Sequence, residues 1–293
     1  MLNIFFVFLL IFSNTTNNSN FLTIKDKEEI IMVIDKAEVI TMIHDVPIVD
    51  NEATENIIQT LEKEVFLEPK NAKLTDDGRI VSEEVGYKLN KKAFLELYYD
   101  YLFNNGPPEF EVPKTNLYPK VDSEILSQIK VKKIGQFVTF FNSRNISRTH
   151  NITLAAEAID NHVVFPNEVF SFNQTVGKRT EGRGYLLAPI IVRGELSEGV
   201  GGGICQVSST LFNAVDLAGL KIVERYSHSR NVPYVRPGRD ATVSWYGPDF
   251  RFLNQYNQPI LIKAKRYGGS LYVALYSSDD INLQENTIPQ INF

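Results

Sequence analysis

The run Gly199-Val200-Gly201-Gly202-Gly203-Ile204-Cys205-Gln206-Val207-Ser208-Ser209-Thr210-Leu211 constrains this chain more than any other stretch. Four of the seven residues from Gly199 to Cys205 are glycine, and Cys205 is the one cysteine in the sequence. Backbone without side chains can turn sharply and can be approached closely. Directly afterwards Ile204, Val207, Leu211, Val215 and Ala218 recur at steps of three or four, which predicts one apolar helix stripe. Gly219 follows where a helix commonly ends. The pattern therefore places Cys205 at the start of a helix, straight after a glycine turn.

A helix N-terminus favours an anion through its free N–H groups and its dipole. A thiol in that position, or beside an imidazolium, ionises more readily, and the thiolate is the nucleophile. Two readings of Cys205 are open at this point: an activated nucleophile, or a small buried hydrophobe. Downstream, Leu220 to Tyr226 alternates as a short strand and His228 follows it. A second strand pattern, Ala241-Thr242-Val243-Ser244-Trp245, comes after the turn Pro237-Gly238-Arg239-Asp240. Cysteine acyl-transfer sites need a nucleophile, a general base and a group that orients the imidazole, and Cys205, His228 and Asp240 can fill these roles. The plainer alternatives are a hydrogen-bonded loop histidine and an aspartate bonded to its own turn.

Gly201 to Ala214 resembles the signature of the VanW domain, named from an accessory protein of vancomycin-resistance clusters. Further landmarks of that pattern follow in order. They are Asn151 to Ala156, Pro166 to Asn173, Val176-Gly177, Gly184-Tyr185, His228-Ser229, Tyr234-Val235, Pro237-Gly238, Asp240 to Val243, Asp249 and Asn254. The likeness runs from about Phe137 to about Ala264. It implies an exported cell-envelope protein acting on peptidoglycan stem peptides, and some members are regarded as L,D-transpeptidases that use the signature cysteine. That maps the nucleophile to Cys205 and the base to His228; Asp240 as third member is inferred from the residues alone. Gly202, Gly203, Gln206, Ser209 and Arg239 are the substrate-binding candidates, with Gln206 a possible oxyanion donor. A peptidoglycan hydrolase with the same site and a non-catalytic envelope-binding or resistance accessory protein are the alternatives.

The expected fold class is α+β, in two domains. Residues 1–20 carry an apolar run too short to span a membrane and suited to a signal-peptide core, although no Lys or Arg precedes it. Residues 21–129 read as a small α+β module resembling the peptidoglycan-binding or positioning modules found before such domains. Within it, helices are expected over Asn51 to Phe66 and Lys91 to Phe103, a hairpin over Ala72 to Val81, and loop or linker over Asn104 to Pro108 and Val112 to Pro119. Residues 130–276 are the VanW-like domain, with a helix over Asn151 to His162 and a closing hairpin from Pro259 to Tyr276. His162 is expected to serve the negative pole of its helix. Residues 277–293 read as a loose polar tail.

Composition excludes several other classes. The net charge is −5, from 30 basic and 35 acidic residues, against the clustered cations that nucleic-acid binding needs. One cysteine and four scattered histidines give no metal-ligand spacing, and the glycine run lacks both nucleotide-binding fingerprints, so no cofactor is expected. A lone thiol also means no internal disulfide. Arg144, Arg148, Lys178, Arg179 and Arg183 put positive charge on both sides of Phe170 to Asn173. They form either a solvated face or a grip on a carboxylate of the peptide stem.

Overall fold

The computed structural model describes residues 20–44, 46–192 and 195–283. The expected signal-peptide core, residues 1–20, lies outside them except for Asn20. Helices and strands are mixed throughout, as an α+β fold requires. The chain divides into two compact units, residues 1–70 with 84–119, and residues 71–83 with 120–293. No helix among the described residues is long and apolar enough to cross a membrane.

In the first unit Phe21–Asp26 is the central strand of three, antiparallel to Glu29–Asp35 and parallel to Glu109–Glu111. Its alternate residues Leu22 and Ile24 are fully buried, as a period of two demands. The helices Asn51–Val65 and Lys91–Asn104 bring Ile58, Leu61, Phe94 and Tyr98 to the same core. Asp50 and Asn90 cap these helices by accepting from their first-turn N–H groups. The stretch expected as loop from Val112 to Pro119 contains the strand Lys114–Leu117 instead, and Glu109–Glu111 is a further strand just before it. Lys114–Leu117 pairs with Gly86–Leu89, and Pro108 and Pro113 sit outside the strands where no ladder donor is required.

The second unit is built on an antiparallel four-stranded sheet, in the order Lys132–Phe140, Ser270–Ser277, Ile260–Tyr267, Val163–Val164. A three-stranded sheet places Arg251–Leu253 between Val169–Ser171 and Lys221–Glu224. The strands Leu187–Val192 and Glu195–Val200 form a separate antiparallel hairpin. The helices Ile146–Ile159 and Ile204–Leu217 share one core with both larger sheets. Ile204–Leu217, here the cysteine helix, begins and ends where the apolar stripe and Gly219 place it; Gly219 has a φ of 71°.

Three boundaries differ from the sequence reading. The hairpin Lys73–Leu74 with Ile80–Val81 and the helix Ser123–Ile129 belong to the second unit, not to a module ending at 129. The reason is packing: Ala72, Val121, Leu126 and Ile129 are buried with Val163 and Leu261, and Asn161 accepts from the Leu74 N–H at 2.8 Å. The helix expected over Asn151 to His162 is Ile146–Ile159, capped by Asn145, so His162 lies beyond it. Burial holds the His162 imidazole below its usual pKa, and its ring meets Phe170 edge-on, so it is a neutral packing residue. The expected tail begins inside the sheet, since Ser277 ends a strand and Ile281 is buried in the main core.

At Gly135 the edge strand Lys132–Phe140 carries a bulge, where its pairing shifts between Lys133 and Gly135. A Cβ there would press on the Ala214 carbonyl and lie 2.9 Å from the Ala218 Cβ. That close approach seats the C-terminal half of the cysteine helix on the sheet. Gly135→Ala is expected to lower stability by about 1–3 kcal/mol, the usual cost of overpacking. Urea unfolding measures this; an unchanged midpoint would remove the close approach as a constraint on the helix.

Candidate active site

The glycine turn delivers Cys205. Gly203, the residue before the cysteine helix, has a φ of 111°, a conformation that a side chain would strain. At Gly202 a Cβ would lie 2.6 Å from the carbonyl oxygens of Ala188 and Pro189, so hairpin and turn touch backbone to backbone. Fully buried Asn151 staples the turn: its amide donates to the Gly202 and Leu186 carbonyls at 3.1 and 2.9 Å, and its oxygen accepts from the Leu186 N–H. Cys205 then occupies the first helical turn, partly exposed.

His228 and Asp240 meet Cys205 there. The imidazole stands beside the Cys205 sulfur, near enough for each to shift the other's pKa, and its Nδ1 lies 2.6 Å from Asp240 Oδ2. The same carboxylate oxygen accepts from the His228 backbone N–H at 2.6 Å, which fixes both ring and main chain. The side chains of His228 and Asp240 are each 8% exposed. The Cys205 thiol also lies 3.6 Å from the Val243 carbonyl, to which it donates, and 3.8 Å from Thr242 Oγ1.

Electrostatics favour the charged form of the pair. Burial opposes a thiolate at Cys205, but the hydrogen bond from His228, a backbone hydrogen bond at Val243 and the imidazolium charge outweigh it, and the thiol is held below its ordinary value. Burial likewise opposes an imidazolium at His228, yet Cys205 and then Asp240 push its pKa up. Burial raises Asp240, and the His228 N–H and ring more than reverse this. Each shift favours the ionised form of its own group: the thiol gives up its proton more readily, the imidazole keeps its proton more firmly, and the carboxylate stands behind the ring.

The segment that carries His228 and Asp240 is held by polar residues of the cysteine helix. Ser208 donates to the Ala241 carbonyl at 2.5 Å, and Ser209 accepts from the Ala241 N–H at 2.9 Å. Asn213 donates to the Arg239 carbonyl at 2.8 Å. Arg225 donates to the carbonyls of Gly238 and Asp240, both at 2.8 Å. Ala241 to Trp245 is consequently not the strand its alternation predicts; its backbone N–H groups at Thr242 and Ser244 donate to the Tyr226 and Pro248 carbonyls and form no ladder.

Cys205 and His228 open onto a cavity of about 870 Å³. Its walls include Arg148, Arg179, Pro189, Tyr234, Trp245 and Tyr246. Tyr246 is 84% exposed and accepts a 2.7 Å hydrogen bond from Lys178. Asn173 secures this wall by donating to the Ser244 and Pro248 carbonyls. Among the described residues no cluster of His, Cys, Asp or Glu side chains could hold a metal ion.

Cys205, His228, Asp240, Gly203 and Gln206 come together, but several assigned roles change. Both donors of the Gln206 amide are committed, to Thr139 Oγ1 at 3.0 Å and the Phe140 carbonyl at 3.1 Å, so it is not an oxyanion donor. Its oxygen instead holds Arg148 at 2.8 Å. Ser209 is fully buried and braces the Ala241 segment, and Gly202 serves the turn, so neither is placed to touch substrate. Arg239 points away from the cavity, to Asp216 at 2.7 Å and Asn213 at 2.8 Å, with its guanidinium over Phe212. Sequence adjacency to Asp240 is no guide here, because the backbone between them bends over the helix. Thr242, Val243 and Tyr234 were not among the sequence candidates. Tyr234 is half-buried, and its pKa is raised by burial and then by the Cys205 charge.

Residues 147–276 match the family described as VanW like protein. The chain is 57% identical over 290 residues to YoaR of Bacillus subtilis, a protein described as uncharacterized, covering 99% of this chain and 96% of that one. It is 30% identical over 104 residues to the Vancomycin B-type resistance protein VanW of Enterococcus faecalis, covering 33% of this chain and 38% of that protein. No solved structure matches the chain.

The charged pair predicts a pH signature. The thiolate is present above the lowered Cys205 pKa, and the imidazolium is lost only above the raised His228 pKa, so alkylation of Cys205 by iodoacetamide should be fast at neutral pH. Asp240→Asn removes an acceptor that keeps the ring charged, so the His228 pKa falls and the Cys205 pKa rises. Each unit of that rise is about a tenfold loss of thiolate on the acid side of its titration. Alkylation rates between pH 4 and 9 measure it; superimposable profiles for the two proteins would dismiss Asp240 as the orienting group.

Proposed function

The chain belongs to the VanW-like protein family, and from that premise we propose that it is an exported cysteine acyltransferase of the bacterial cell wall, an L,D-transpeptidase that joins peptidoglycan stem peptides. The observation that carries this reading is the row of Cys205, His228 and Asp240, the imidazole held by the carboxylate at 2.6 Å and set beside the sulfur, open on one side to a cavity of peptide size. The resistance protein among the relatives supports the cell-envelope setting by its name. The first unit would then present the wall or position the second unit upon it.

In the proposed reaction the Cys205 thiolate adds to the carbonyl carbon between an L- and a D-residue of the donor stem. The developing oxyanion is stabilised at the positive end of the cysteine helix. The C–N bond breaks, the leaving amine takes the proton carried by His228, and a thioester remains on Cys205. The amine of a second stem then attacks the thioester and passes a proton to His228. A new amide forms and the thiolate and imidazolium are restored. Asp240 holds the ring in place for both proton transfers and stabilises its charge.

Purified protein incubated with defined muropeptides should yield a cross-linked dimer, read by mass. Cys205→Ala should yield none while retaining the wild-type unfolding midpoint. His228→Ala should keep a trace, since positioned acid–base groups contribute about 10²–10⁴-fold. A trimmed stem without dimer would make the protein a hydrolase, and dimer formation by Cys205→Ala would end the cysteine mechanism altogether.

A further inference from the structure

Two guanidinium groups line the cavity beside Cys205, and they differ in how they are held. Arg148 donates to Gln206, which is itself fixed by Thr139 and Phe140. The terminal nitrogens of Arg179 are both buried and have no hydrogen-bond partner among the described residues. Its guanidinium lies 5.7 Å from the centre of the Phe172 ring. Burial depresses the Arg179 pKa, with Tyr185, Cys205 and Asp249 acting in opposition. The Asp249 carboxylate is already engaged, accepting from Ser171 Oγ at 2.6 Å and from the N–H groups of Asn173 and Phe250 at 2.9 and 2.8 Å.

A buried cation with unmade hydrogen bonds is costly, and an arriving anion relieves that cost. The arginine fork matches a carboxylate in bidentate fashion. The Arg179 stem lies along the glycine turn that delivers Cys205: a Cβ on Gly201 would sit 3.1 and 3.3 Å from its Cβ and Cγ. The receptor for charge and the nucleophile are thus set on one wall of one cavity. We propose that Arg179 determines specificity by receiving a carboxylate of the peptide whose carbonyl Cys205 attacks. With no hydrogen bond to hold it, the guanidinium turns on its stem into the cavity as the carboxylate enters. The inference rests on the acyl-transfer reading and names its substrate as an anionic peptide. That carboxylate is supplied either by the peptide C-terminus or by an acidic group within the stem.

Paired alkylating reagents test this without requiring turnover. Iodoacetate carries a carboxylate where iodoacetamide carries an amide. The ratio of their rates at Cys205, set against the ratio for a free thiol, reads the pull on the anion. The His228 charge contributes equally in wild type and variant, so the difference between them isolates Arg179. Arg179→Gln should lower the ratio about tenfold, the worth of a hydrogen bond to a charged group, and any change in thiolate fraction cancels because both reagents meet the same thiol. Arg179→Lys should restore part of it, which also answers loss through misfolding. An identical ratio in wild type and Arg179→Gln overturns the proposal, whereas a slow iodoacetamide reaction in wild type counts against the activated thiol instead. Calorimetry on Cys205→Ala protein then identifies the source, using a stem tetrapeptide ending in D-alanine and its C-terminal amide. A preference for the acid that vanishes with Arg179→Gln assigns the C-terminus. Equal binding that falls about tenfold for both peptides with Arg179→Gln assigns the inner acidic group. Binding unaffected by Arg179→Gln rejects both.

Discussion

Backbone N–H and C=O groups withdrawn from water must be paired, and a segment outside helices and sheets has to find those partners elsewhere. This requirement shapes the second unit. Between Glu224 and Arg251 the chain forms no helix and no strand, yet it carries His228, Tyr234, Asp240, Thr242, Val243 and Trp245. The cysteine helix supplies the partners. Gln206, Ser208, Ser209, Thr210 and Asn213 are all buried, although such residues usually mark an exposed helix face. Ser208, Ser209 and Asn213 reach the backbone at Ala241 and Arg239, and Thr210 meets Thr139 on the neighbouring strand. One helix therefore carries Cys205 and holds in place the segment that brings His228 to it.

The same economy governs charge. A sulfur at the mouth of a buried helix gains from the helix dipole but loses its hydration, and the decisive favourable contribution is the hydrogen bond from His228. That imidazole is buried too, and Cys205 and Asp240, one on each side, raise its hold on a proton. Asp240 in turn depends on the His228 N–H as well as the ring. Each member of the row is stabilised in its ionised form by its neighbour, so removing one unsettles the others. This interdependence is expected of groups that function together, not of a cysteine kept as a small core residue.

Much of this was legible in the residues, and the misses have physical causes. The cysteine helix shows itself by its period and by Gly219, and His228 follows a strand that alternates as read. Ala241 to Trp245 alternates just as well, but a strand needs a partner strand, and helix side chains take that place. The strands Glu109–Glu111 and Lys114–Leu117 are masked by prolines and revealed by pairing with distant segments. The hairpin at Lys73 to Val81 reads correctly as a local element, while its membership in the second unit depends on long-range burial with Leu126 and Leu261. Among the flanking cations, sequence gives charge but not burial. Arg239 is drawn to Asp216, while Arg179, among the five cations around Phe170 to Asn173, is the one whose buried nitrogens have no partner among the described residues.

The strands that flank the site-bearing segment, Lys221–Glu224 and Arg251–Leu253, pair with each other, Glu224 lying opposite Arg251. The whole excursion is therefore a single hairpin connection whose two feet stand side by side on the sheet. Lengthening or shortening it between its anchor points leaves the register of that ladder untouched. The groove above the sulfur can change its lining while the scaffold beneath keeps its form, so its shape is free to diverge faster than the architecture.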